Sequence, residues 1–173
     1  HWDFVAAGAL VFVTVGALIK EGEKLGGREP LLAAGMAALA LACVYSIAAP
    51  WLAERRVDDS FDALTRGDFS AALEKTRQAR SLNPLSIEPL LARGYIEEAR
   101  GQFDEARAAY ATAIDVQPEN REAWFRLGSV EYDVERYQDA YIRFNRMYEL
   151  DPHGPHVEWV ERARCKLNPT GCP

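Results

Sequence analysis

The side chains able to carry covalent or metal chemistry are few in this sequence, and they are scattered. Three histidines (His1, His153, His156) and three cysteines (Cys43, Cys165, Cys172) are spread over 173 residues. A zinc peptidase needs two histidines one helical turn apart with a glutamate beside them, so that both rings reach one ion while the carboxylate activates water. No H-E-x-x-H run occurs, and the spacings among His153, His156, Cys165 and Cys172 fit no common structural zinc site. Asp58, Asp59 and Asp62 cluster as they would on a solvated helix face, and Gly26-Gly27 reads as a turn without a P-loop around it. The expectation is therefore a chain with no catalytic, metal or cofactor site. Cys165 and Cys172 have a reason to meet, because the turn-rich Asn168-Pro169-Thr170-Gly171 lies between them. In an oxidising compartment a disulfide would pin the tail; in a reducing one both would be free thiols, and a mass shift on reduction separates the two. Cys43, inside an apolar run, is simplest as a small packing residue.

Charge narrows the partners. Lys and Arg number 20 and Asp and Glu 26, a formal net charge of -6, which argues against a nucleic-acid backbone as partner. The distribution is uneven: 7 of the charged residues lie in residues 1–52 and 39 in residues 53–173. The chain thus reads as two chemically different segments.

In the first segment, Phe4 to Ile19 and Leu31 to Leu52 are uncharged. At ~1.5 Å per residue the longer run covers the ~30 Å hydrocarbon layer, and Trp2 and Lys20 extend the shorter one as interfacial anchors. These predict two transmembrane helices, about 3–20 and 30–52, making residues 1–52 a membrane hairpin. Ala34, Ala38 and Ala42 recur every four residues with Gly35 beside them, a small face for close helix packing. Arg55 and Arg56 are expected to stop the second stretch. Lys20, Lys24 and Arg28 in the connection outnumber Arg55 and Arg56 beyond, which by the positive-inside rule places everything after Leu52 outside the cytoplasm. With His1 in place of a Met and no basic residue before the apolar run, the sequence is expected to be a processed or excised piece rather than to open on a signal peptide.

The second segment repeats every 34 residues. Ala72, Ala106 and Ala140 share that spacing, as do Pro84, Pro118 and Pro152, and Phe69, Phe103 and Tyr137. Gly94 and Gly128 match, with Ser60 in the first copy; Tyr110 and Phe144 match, with Thr76 in the first copy. Three repeats result, 53–86, 87–120 and 121–154, each of two amphipathic helices joined by a short turn. The small residues mark where paired helices come closest, and each proline ends the second helix. Val157, Val160, Ala163 and Leu167 at helical spacing predict a capping helix in the final segment, 155–173.

Trp124, Leu127, Gly128, Ala140, Phe144 and Pro152 resemble the tetratricopeptide repeat, from which the third copy departs at Glu131 and Met147. The second copy has Leu90 and Arg93 at the Trp and Leu positions, and the first has Arg56 and Ser60 at the Trp and Gly positions. The resemblance covers about 102 residues. It implies an all-α fold, a right-handed α-α superhelix of three repeats plus a cap, whose first helices line a concave groove for a protein or peptide partner. Val57, Phe61 and Leu64, then Leu91, Tyr95 and Glu98, then Phe125, Ser129 and Tyr132 fall on that side. The bland alternative is that individual members only pack against neighbouring helices. Members that clamp a C-terminal carboxylate use Asn and basic residues, whereas the Asn positions here hold Phe61, Tyr95 and Ser129.

A shorter resemblance is that of His1-Trp2-Asp3-Phe4, Leu52-Ala53-Glu54-Arg55-Arg56 and Leu82-Asn83-Pro84-Leu85-Ser86 to the tail of bacterial O-antigen ligase or polymerase-like membrane proteins. It implies a noncatalytic C-terminal part of a glycan-transferring enzyme whose catalytic loops lie upstream. Two readings therefore stand: a membrane-anchored repeat scaffold, and a fragment of such an enzyme.

Overall fold

The computed structural model describes residues 29–171, so the predicted first membrane helix, 3–20, lies outside the described residues. The chain divides into two units, His1–Trp51 and Leu52–Pro173. Helix α1, Glu29–Thr65, crosses that division without a break and holds Pro50 in its interior. Arg55 and Arg56 thus end the apolar run but not the helix. A charge changes which solvent a helix tolerates, not its backbone preference, and arginine is a good helix former.

In the second unit the C-terminal part of α1 is followed by α2 (Phe69–Leu82), α3 (Glu88–Ala99), α4 (Phe103–Val116), α5 (Arg121–Asp133), α6 (Tyr137–Leu150) and α7 (Glu158–Leu167). A short 3-10 turn, Pro169–Gly171, ends the described chain. From α2 onward each helix packs on the next. The architecture is all-α among the described residues, in helix pairs with α7 as the predicted cap.

The 34-residue period recurs in the turns. Gly67, Gly101 and Glu135 have φ of 76°, 73° and 62°, each donating to a carbonyl three residues back while the next residue donates five back. This is the left-handed helix end that glycine closes freely. Glu135 takes glycine's place in the third copy, at a cost on the order of 1 kcal/mol. Asn83, Gln117 and Asp151, each before a proline, are extended at φ -135°, -136° and -153°. The clash with the proline ring excludes the helical region there.

Packing explains the recurring spacing of small residues within the chain. Ala72, Ala106 and Ala140 are fully buried. The Tyr110 ring lies over Gly94 and the Phe144 ring over Gly128, so closely that an added Cβ would stand 2.3 Å and 2.7 Å from ring carbons. In the first copy Ser60 and Thr76 occupy those two positions, both buried, each hydroxyl donating to a carbonyl of its own helix. The larger side chain at one position is matched by the smaller one at the other.

Glu131, where the resemblance leads one to expect Tyr, is 2% exposed. Its carboxylate lies 3.7 Å from Arg107 of α4 and 3.6 Å from Arg143 of α6. Burial is the largest influence and pushes its carboxyl upward, only partly opposed by the arginines. A raised acid contributes stability that is fully present below its ordinary value of 4.5 and is lost as pH rises through the folded-state value. Glu131→Gln should therefore flatten the fall in stability between the ordinary and the folded-state value. Urea midpoints for parent and variant along a pH series would check it, and parallel profiles would refute it.

Candidate functional site

The first helices of the repeats present equivalent positions side by side, so residues 34 apart in sequence become neighbours. Phe61 of α1 and Tyr95 of α3 are the clearest case, with ring centroids 5.9 Å apart and planes at 58°. Both are exposed, at 38% and 46%. Exposed aromatics in mutual contact are costly to leave bare and are enriched where a partner binds.

Beneath them lies a cleft of about 280 Å³ lined by Val57, Phe61, Glu88, Leu91, Ala92, Tyr95, Glu122 and Arg126. Arg126 Nε donates to Glu122 Oε1 at 2.8 Å, an i,i+4 pair along α5. Glu98, half-buried on α3, borders the same face. Its carboxyl is raised by desolvation first, and Asp133 adds to the rise while the Tyr110 hydroxyl and Arg126 oppose it. The Tyr110 hydroxyl, fully buried, has no partner within strict hydrogen-bond geometry, yet it interacts with Glu98, and burial raises its own ionisation. Asp133 is also raised by desolvation. The arrangement can hold an apolar or aromatic side chain beside acidic ones.

Of the residues expected on the concave side, Val57, Phe61, Leu91 and Tyr95 line this cleft, and Glu98 stands one turn beyond Tyr95 on α3, outside the lining. Leu64 instead packs on the buried cluster of Ala63, Ala72 and Ile96. Phe125 is only 8% exposed, its ring stacked on His156 at 4.1 Å and set edge-on to Trp159 at 6.2 Å. Tyr132 meets Tyr137 at 5.2 Å and Trp159 at 5.4 Å. Ser129 is partly buried, and its Oγ has no hydrogen-bond partner.

The cause of the difference in the third repeat is the segment after it. Arg121 donates to the Pro155 carbonyl and lies 3.7 Å from Asp151, which holds the approach to α7 against α5. Trp159, 34 residues after Phe125, then occupies the place a fourth repeat would. The covered end of the groove is therefore the third repeat, and the open end is the first and second.

Glu88, Ala92, Glu122 and Arg126 were missed as lining residues, although Glu54, Glu88 and Glu122 carry the signal by sharing the 34-residue spacing. His153 is exposed and His156 is committed to its stack on Phe125. Among the described residues no three His, Cys, Asp or Glu side chains gather as a metal site. Cys43 is a free thiol, and the expected Cys165–Cys172 bond falls partly on Cys172, outside the described residues.

Comparison with known proteins agrees with the fold. Residues 91–155 match the family model for the tetratricopeptide repeat. A heat-shock protein cognate co-chaperone, sgt12 of Aspergillus fumigatus, is 29% identical over 92 residues, which are 53% of this chain and 27% of that protein. The chain thus spans about a quarter of that relative's length. The crystal structure of the Sgt2 TPR domain from Aspergillus fumigatus superposes with a TM-score of 0.61 at 24% identity, covering 68% of this chain and 80% of that one. The first TPR of Spaghetti (RPAP3), bound to the HSP90 peptide SRMEEVD, gives 0.62 at 14% identity, covering 68% and 97%. At these identities the structures share the fold, and the second unit has a TPR-like all-α fold, with residues 91–155 matching the repeat model.

Proposed function

We propose that the chain is a membrane-tethered scaffold whose tetratricopeptide repeats hold a protein or peptide partner in the cleft of the first two repeats. The observation that carries the reading is the exposed pair Phe61 and Tyr95 over that cleft. Neighbours of the same fold that bind HSP90 or Hsp70 peptides support a peptide as the ligand class. For the tether, α1 from Ala34 onward is long and apolar enough, by length and composition, to cross a membrane. Its large side chains are bare, with Leu39 and Leu41 67% and 70% exposed. In water so much apolar surface on one helix is unfavourable; in hydrocarbon it costs nothing.

Detergent-solubilised chain used as bait should retain a partner whose affinity falls at least about tenfold in the Phe61→Ala, Tyr95→Ala double variant, the scale of an aromatic hot spot. Unchanged retention would move the site off the cleft. The same preparation should resist alkaline extraction from membranes, and release into the supernatant would remove the tether. An extracytoplasmic repeat domain and a Cys165–Cys172 bond belong to this proposal, and thiol labelling of Cys172 in intact cells before and after reduction tests both. The reading as a noncatalytic part of an O-antigen ligase-like protein rests on the short sequence resemblance alone. A reading frame upstream of His1 without further apolar helices would end it.

A further inference from the structure

The charge around the cleft says more about its occupant than the cleft's shape does. Glu88 and Glu122 line it, and Arg126, the one cation among the described residues of the lining, is already paired with Glu122 at 2.8 Å. Glu54, exposed on α1, repeats their register 34 residues earlier, so the sequence sets a row of three glutamates along one edge. Glu98 lies further along α3, where Arg126 attracts its carboxylate and Asp133 repels it. The apolar floor is Phe61, Leu91 and Tyr95. Carboxylates that outnumber the single arginine around an apolar floor repel an anionic ligand and favour a cationic one.

We infer that the cleft takes a cationic segment of a protein partner, with aromatic or aliphatic side chains seated against Phe61, Leu91 and Tyr95 and flanking Lys or Arg meeting Glu88, Glu122 and Glu98. This rests on the cleft being the binding site, as proposed above, and adds the chemistry of the segment that enters it. It also sets this chain apart from the neighbour bound to SRMEEVD, a peptide whose acidic residues outnumber its single arginine. An acidic peptide of that kind would place like charges together, a juxtaposition that specific interfaces use to reject partners.

The test uses the full chain in detergent and three fluorescein-labelled peptides, KFRLKYR, EFELEYE and SRMEEVD, monitored by anisotropy. KFRLKYR should bind at least about tenfold more tightly than either acidic peptide at low salt, with the gap closing as added salt screens the charges. Glu88→Gln with Glu122→Gln should weaken KFRLKYR about three- to tenfold. Glu105→Gln with Glu149→Gln, exposed acids elsewhere, should leave it unchanged. Equal losses from the two pairs would mean attraction to the acidic chain as a whole and would overturn the inference, as would the absence of saturable KFRLKYR binding. If SRMEEVD or EFELEYE binds as tightly and is lost on Tyr95→Ala, the charge inference fails while the cleft stands. KFRLKYR binding indifferent to Tyr95→Ala sinks both.

Discussion

Phe144→Ala should cost about 3–5 kcal/mol of stability, the range for truncating a fully buried phenylalanine. The side chain is 0% exposed and sits where three helices meet: on α6 itself, over Gly128 of α5, and 5.7 Å from the Trp159 ring of α7. No neighbour can collapse into the space cheaply. Gly128 has no side chain to offer, and Phe125 is held by its stack on His156. The loss should spread into the cap, since Trp159 packs on both Phe144 and Phe125. Chemical denaturation measures the energy, and a red shift of tryptophan emission under native conditions would report the loosened α7. A cost below about 1.5 kcal/mol would mean that the site repacks and that the aromatic cluster does not hold the cap.

Gly94→Ala should destabilise by about 2 kcal/mol even though alanine is the better helix former by up to ~1 kcal/mol. The added methyl would stand 2.3 Å from Tyr110 Cε1 and 2.4 Å from Cζ, and Tyr110 is fully buried. Either the ring leaves its place or α3 and α4 separate, and both disturb Glu98, one turn beyond Tyr95. The first repeat shows the other solution, Ser60 opposite Thr76. Adding Tyr110→Thr to Gly94→Ala should therefore cost less than the sum of the two single changes, a coupling read directly from a double-mutant cycle. Strict additivity would mean that the two positions do not share one space. A stabilised Gly94→Ala would mean that helix propensity outweighs the contact.

Much of this architecture was legible in the sequence because a repeat writes the same local problem three times. Ala72, Ala106 and Ala140 recur where helices touch, and Pro84, Pro118 and Pro152 recur where helices end. The length of α1 was less legible. Hydropathy changes at Arg55 and Arg56, but backbone hydrogen bonding responds to the turn at Gly67, where a left-handed residue closes the helix. Glu131 stood out as a departure from the repeat pattern. Its surroundings did not, because Arg107 and Arg143 come to it from different helices.

The groove divided in the same way. Tyr95 and Phe125 hold related places on their helices, and nothing within either repeat says that one ring is open and the other covered. The difference lies in the segment after the third repeat, where His156 and Trp159 cover Phe125 and Tyr132. The sequence alone determined the repeat helices, their turns, the small residues at close approach and the apolar, aromatic character of the concave face. These depend on contacts within about 34 residues, which a periodic pattern records. Only the tertiary structure decided which part of that face stays open and which glutamates border it. Exposure depends on the neighbouring repeat, and at the last repeat the neighbour is a cap with its own side chains.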